Sequence, residues 1–390
     1  MTDLERILPL WRELEAASAD YVLATVVAVQ GSSYRKPGAC MLIAPDGRRA
    51  GTVSGGCLEA QVAGRAWWLT ENGPTVQRYS TVEEDGDMPY GSGCGGVIFL
   101  LLERRPTAKA LLAALEQAFH QRTPIAIATV LEGLQIGRRA FAGLEPDSLP
   151  VSPRATPPAD ASLVNLAQLV LAHKESMEKS ISMDGSEVRV WTNFRSPRPG
   201  LWIFGAGDDT KPLLSLAKEL GWFVSVADGR SQLATRERFP TADAVTALRI
   251  NELPAEKSAR PAPTFAGMRT RDAAVILTHS FEQDARILAS LLTLENPLAY
   301  IGVLGPQRRT RELLVEVARL LNLPSPPTIA SEPWIELSLS QLHAPMGLDL
   351  GAESAETIAF SILAEIQQSL TAATALPLRE VRNTVQTISP

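Results

Sequence analysis

Apolar residues recur every three or four positions from Leu4 to Ala17, which predicts an amphipathic helix, and a Val- and Thr-rich run from Tyr21 to Val29 predicts a strand after it. Cys40–Ala44, Thr75–Ser80, Ile125–Val130, Val188–Thr192 and the continuous apolar run Val97–Glu103 read as further strands, with helices expected over Leu58–Thr70 and Thr107–His120. The first half therefore reads as a mixed α/β domain without simple alternation. From Pro197 the pattern changes: strands at Leu201–Phe204, Trp222–Ala227, Ala273–Thr278 and Ala299–Leu304 alternate with helices at Asp209–Leu220, Phe281–Leu292 and Arg308–Leu321. A last helix is expected over Ala355–Leu370, and Ser280 with Gln283 reads as a capping box. Regular alternation predicts a Rossmann-like, mostly parallel sheet. Two domains follow, 1–196 and 197–390.

Composition narrows the function. The 28 prolines are concentrated in loops, with Pro-, Ala- and Ser-rich stretches at Glu145–Ala161, Leu253–Pro263 and Leu323–Pro333, the first read as a disordered insert. With 37 Lys and Arg against 43 Asp and Glu, a net charge of -6 and no long basic run, the chain lacks the footprint of a nucleic-acid binder. The N-terminus lacks the pattern of a signal peptide and no apolar run approaches the roughly 18 residues of a membrane span, so a cytoplasmic protein without membrane contact is expected. Three cysteines without a CxxC pair provide neither a disulfide framework nor a four-thiolate zinc site.

Chemistry-bearing residues gather at predicted strand ends. Gly205-Ala206-Gly207-Asp208-Asp209-Thr210 follows a strand and opens a helix, and Asp228 ends the next strand, as in a dinucleotide fingerprint. Two departures oppose NAD(P) binding: Thr210 stands where a third glycine is usual, and two carboxylates occupy the helix start that otherwise attracts phosphate. The chain can fill its own anion site. A second candidate anion site is Gly305-Pro306-Gln307-Arg308-Arg309-Thr310-Arg311, where basic residues open a helix against its dipole, with Arg230 able to join it; pairing of these arginines with surface carboxylates is the alternative. His279 closes a predicted strand and His343 lies in a turn-like run, each either an acid/base group or a structural hydrogen-bonding residue. No nucleophile elbow or His-Glu-x-x-His zinc motif is present.

Two cysteines sit in glycine-rich junctions, Ser54-Gly55-Gly56-Cys57-Leu58-Glu59 and Gly93-Cys94-Gly95-Gly96. Cys57 precedes a helix whose dipole favours thiolate, and Cys94 has backbone open to close approach, so both are candidate soft-metal or sulfur ligands; small buried turn residues are the alternative. Cys40, within an apolar strand, reads as core. The acidic run Glu83–Asp87 reads as a solvated loop rather than a cation site.

Together these motifs resemble the XdhC/CoxI family of xanthine dehydrogenase accessory proteins. The likeness rests on Gly31-Ser32-Ser33-Tyr34-Arg35, the two Gly-Cys junctions, Gly205–Asp209, Asp228-Gly229-Arg230, Thr278–Asp284, Tyr300–Gly305 and His343–Ala352, in this order. The resemblance implies a maturation factor rather than a metabolic enzyme. It implies binding of the molybdenum cofactor, as molybdopterin or its cytidine dinucleotide form, during sulfuration, then transfer to a molybdenum hydroxylase. It further implies a homodimer, a possible cysteine desulfurase partner, and cofactor contacts at Ser54, Gly55, Gly56, Cys57, Cys94, Gly95, Gly205, Gly207, Asp228, Arg230, His279, Gly305 and Arg308, with Cys57 and Cys94 nearest the metal. The Glu145–Ala161 insert is no part of the family pattern. Two rivals from other classes are an NAD(P)-dependent oxidoreductase using the same glycine fingerprint, and a sulfurtransferase carrying a persulfide on Cys57.

Overall fold

The computed structural model describes residues 3–56, 58–80, 96–144, 161–183, 185–250, 253, 265, 267–322 and 333–381. The chain divides into two compact units, Met1–Arg198 and Pro199–Pro390.

The N-terminal unit holds two antiparallel sheets. The first has the order β3-β2-β1-β5-β4, from β1 (Val22–Gln30), β2 (Cys40–Ile43), β3 (Arg49–Gly51), β4 (Thr75–Ser80) and β5 (Val97–Arg104). Both faces are apolar. One packs on α1 (Asp3–Ala16) and α3 (Arg105–Gln121) through Leu23, Leu42, Trp11 and Leu112, the other on α2 (Glu59–Leu69) through Val22, Ala24, Leu100 and Val62. That explains why β1 and β5 read as continuous apolar runs rather than as alternating strands. The second sheet, order β7-β6-β9-β8, is built from β6 (Ile125–Val130), β7 (Arg139–Ala142), β8 (Glu178–Met183) and β9 (Ser186–Arg195), with α4 (Ala161–His173) on one face. Nη2 of Arg139 on β7 donates to both carboxylate oxygens of Glu103 on β5, at 2.8 and 2.7 Å, a buried ion pair between the two sheets.

The C-terminal unit is one all-parallel sheet of order β12-β11-β10-β13-β14, from β10 (Gly200–Phe204), β11 (Phe223–Asp228), β12 (Ala244–Ala247), β13 (Ala273–Ile276) and β14 (Tyr300–Val303). Helices α5 (Thr210–Glu219) and α9 (Ala355–Thr371) bury one face through Leu213, Ala217, Ile362 and Ile366. Helices α6 (Phe281–Leu292) and α7 (Gln307–Leu320) bury the other through Ile287, Leu288, Leu314 and Val317. This is the doubly wound arrangement expected from the alternation, with the order reversing between β10 and β13, where such folds bind ligands.

Several elements escape the sequence pattern: β3, β7, β8, β12, α4 and α8 (Pro333–Ser340). Most are short or lie on half-exposed edges, so they carry little apolar periodicity. The capping box expected at Ser280 is half formed: Ser280 accepts from the Gln283 N–H, but the Gln283 side chain accepts instead from the Gly229 N–H at 3.2 Å. The reciprocal box lies at Ser354 and Thr357, opening α9. Residues 145–160, with most of the insert, and the acidic run at 83–87 lie outside the described residues.

Candidate functional site

Antiparallel pairing brings the ends of β1, β3 and β4 and the start of β5 to one end of the first sheet of the N-terminal unit. Val97, the first residue of β5, pairs with Gln30, the last of β1, and with Ser80, the last of β4; Gly51, the last of β3, pairs with Met41 near the start of β2. The described residues 31–39, 52–56 and Gly96 therefore share that end. Gly96 lies so close to the Ser32 carbonyl that a Cβ at this position would overlap it. A Cβ on Gly55 would lie 3.8 Å from the Tyr34 ring. The loop 31–35 thus touches residues flanking both cysteine junctions, and Tyr34 is 77% exposed beside them. Cys57, Cys94 and Gly95 themselves lie outside the described residues.

The Ser54–Gly56 turn is held by two buried polar groups. Ser54 Oγ donates to Glu59 Oε2 at 2.6 Å and accepts from the Gly56 and Leu58 N–H groups, both at 3.1 Å. Glu59 Oε1 accepts from the Ser54 and Val53 N–H groups at 2.9 and 3.2 Å. Burial acts to raise the Glu59 pKa, but the hydrogen bonds from Ser54 and Val53 outweigh it and hold the carboxyl below its usual range. Glu59, at the first position of α2, also favours that helix end. Only the presence of Glu59 two residues after Cys57, not any spacing rule, could have indicated this clamp.

In the C-terminal unit the loops after β10, β11, β13 and β14 carry the predicted residues to one edge of the sheet. Gly205 takes φ +137°, and a Cβ there would meet the Leu277 carbonyl oxygen at 2.6 Å, so the position admits only glycine. Asp228 is fully buried. Its Oδ2 accepts from the Ala206 N–H at 2.8 Å and Arg230 Nη2 at 2.7 Å, while Oδ1 accepts from the Arg230 N–H at 2.8 Å and Nε at 3.0 Å. Burial alone would raise this pKa; the Arg230 and Ala206 hydrogen bonds bring it below the usual carboxylate range. Asp208 pairs with Lys211 at 2.8 Å and Arg238 at 3.0 Å. Asp209 Oδ2 lies 3.4 Å from His279 Nε2, and its Oδ1 is buried with no hydrogen-bond partner. His279 holds φ +61°, an uncommon conformation for a residue with a side chain.

The arginine run is largely paired. Arg309 reaches Asp284 at 2.7 Å and Arg311 reaches Glu336 at 2.7 Å, leaving Arg308, 87% exposed, beside Glu312 at 3.2 Å; Gly305 before them takes φ +111°. His343 has the carboxylate partner its local sequence does not reveal: Nδ1 lies 2.9 Å from Glu365 Oε1, and the ring stacks on Tyr300 at 4.1 Å. Glu365 Oε2 also accepts from Tyr300 Oη at 2.7 Å and the Gly347 N–H at 2.6 Å. Glu365 lies 22 residues after His343, on α9, and only tertiary packing joins them. Among the described residues no group of three His, Cys, Asp or Glu could hold a metal ion, and no helix is long and apolar enough to cross a membrane.

Comparison with known proteins places the chain. Residues 201–366 match the model of the XdhC Rossmann domain and residues 14–80 that of the XdhC and CoxI family. The chain is 32% identical over 356 residues to a probable xanthine dehydrogenase subunit of Bacillus subtilis (strain 168), covering 89% of this chain and 92% of that protein. It is 26% identical over 354 residues to the molybdenum cofactor insertion chaperone PaoD of Escherichia coli (strain K12), covering 88% and 82%. The crystal structure of a protein named as a xanthine dehydrogenase from Bacillus halodurans is similar with a TM-score of 0.67 at 27% identity, covering 100% of this chain and 98% of that one. Both sets of motifs, on an antiparallel N-terminal unit and a Rossmann-type C-terminal unit, thus identify the chain as a member of the XdhC and CoxI family.

Proposed function

We propose that this chain is an accessory protein that binds the molybdenum cofactor and delivers it to a hydroxylase of the xanthine dehydrogenase type. The observation that supports it most is the convergence of the loop 31–35 on Gly55 and Gly96, which flank the two cysteine junctions. Thiolates of Cys57 and Cys94 are soft ligands suited to molybdenum and its sulfur. The cofactor is cargo in this reading, held while a cysteine desulfurase supplies the terminal sulfur and then released to the hydroxylase, with the chain acting as a homodimer. The name of PaoD, a molybdenum cofactor insertion chaperone, supports the same role, and the name of the Bacillus subtilis relative supports the link to xanthine dehydrogenase.

Purified protein should retain molybdopterin after incubation with the cofactor, read by oxidation to its fluorescent pterin product. Cys57→Ala and Cys94→Ala should each lower retention and slow activation of the apo-hydroxylase by about tenfold or more, the equivalent of losing one interaction of ~1.4 kcal/mol. Absence of pterin retention in the unsubstituted protein, or full activity of both variants, would refute the reading.

A further inference from the structure

The topology of the C-terminal unit implies a dinucleotide, because the glycine turn after β10 lies at the switch point where parallel sheets of this order hold a pyrophosphate. Whether the residues fit that ligand can be tested group by group. A pyrophosphate needs open space over the second glycine and unopposed positive charge at the start of α5. Neither is present. A Cβ built on Gly207 would overlap Oδ1 of Asp209, so the aspartate carboxylate already lies over that glycine. That carboxylate is not a helix cap, since it makes no side-chain bond to the helix start. Its Oδ1 is buried and has no hydrogen-bond partner, an arrangement that costs stability. Its Oδ2 faces His279 at 3.4 Å, so a residue from the β10 loop and one from the β13 loop meet across the switch point.

The ribose end fails independently. A carboxylate has about four acceptor sites. All four of Asp228 are engaged, by the Ala206 N–H and by the backbone N–H, Nε and Nη2 of Arg230. Ribose hydroxyls would have to displace an arginine from a fully buried carboxylate.

We propose that the C-terminal unit is a Rossmann fold closed to pyrophosphate-linked dinucleotides, with Asp209 as the residue that closes it and the Asp228–Arg230 pair as a second barrier. Asp209 sets specificity by occupying, with a negative charge, the place where another ligand's phosphates would lie. This inference does not depend on the cysteine loops; it bears on the cofactor-delivery reading only in excluding the cytidine dinucleotide form from the glycine turn of this unit, and delivery of molybdopterin fails or stands separately.

The test uses the full chain and three probes, NAD, ADP-ribose and inorganic pyrophosphate, titrated by calorimetry. The unsubstituted protein should show no binding up to about millimolar concentration, a free energy weaker than roughly -4 kcal/mol. Asp209→Ala should bind ADP-ribose and pyrophosphate at least tenfold more tightly than the unsubstituted protein. Asp209→Asn, which removes the charge and keeps the shape, should gain less but in the same direction. Thermal unfolding should show both variants folded, with a midpoint equal to or above that of the original. Affinities unchanged in both variants would overturn the proposal, as would micromolar binding of NAD or ADP-ribose by the unsubstituted protein.

Discussion

Glu59 shows how one side chain can reshape a reading taken from sequence. A helix start after Cys57 suggests a dipole that favours thiolate, yet Glu59 places an ionised carboxyl in the first turn of the same helix and offsets that field. Because its folded pKa lies below the unfolded value, the Glu59 contribution is fully present above the unfolded carboxyl pKa, about 4.3, and is lost as pH falls through the lower folded value. Urea unfolding should therefore show stability declining on acidification below about pH 4.5, and Glu59→Gln should flatten that decline while lowering stability at neutral pH by ~1–3 kcal/mol. A pH profile of the variant parallel to that of the original would remove Glu59 from this role. Gly205 and Asp228 were legible as residues because strand–turn–helix context marks them. The partners that decide their chemistry, the Leu277 carbonyl for Gly205 and the Ala206 N–H for Asp228, were not, because hydrogen bonding and steric approach are fixed only when loops from separate strands meet.

Elements with both faces buried announce themselves as apolar runs, and β1, β5, β6, β10 and β13 were all readable for that reason. The second sheet was only half readable: β6 and β9 carry apolar runs, whereas β8 is mostly exposed and β7 is four residues long. What joins the two sheets was not visible at all. Glu103 stands next to last in an apolar strand and Arg139 lies 36 residues later, but they pair with 0% and 5% of their side chains exposed. Removing one partner leaves a buried charge, so Glu103→Ala should cost about 3–5 kcal/mol in denaturant unfolding, whereas a well-packed apolar replacement of both should cost much less. Equal losses in the single and double variants would mean that packing, not the uncompensated charge, dominates. Helix α9 gives the same lesson, since its Glu365 anchors the loop after His343 through bonds to Tyr300, His343 and Gly347 that no helical periodicity encodes.

Across the whole chain, each unit has cores of its own, the N-terminal one around its two antiparallel sheets and the C-terminal one on both faces of the parallel sheet. A lesion in one unit should therefore leave the unfolding transition of the other in place. In the C-terminal unit the suitable site is Asp272, which is buried and accepts from the Gly200 N–H at 2.9 Å, Trp202 Nε1 at 3.0 Å and the Arg269 N–H at 3.0 Å. Calorimetry should show Asp272→Ala lowering one transition by an amount equivalent to about 2 kcal/mol or more and Glu103→Ala lowering another. A single transition shifted by both substitutions would contradict separate folding. Apolar periodicity and the spacing of glycines were enough to establish a mixed first half, a doubly wound second half and the order of the motifs, because burial and tight turns constrain residue types locally. Tertiary structure alone decided that Tyr34 and Ser32 lie beside Gly55 and Gly96, that His343 has a carboxylate, and that His279 meets Asp209. Those facts depend on strand order and loop contacts between residues far apart in the chain, where local residue preference carries no information.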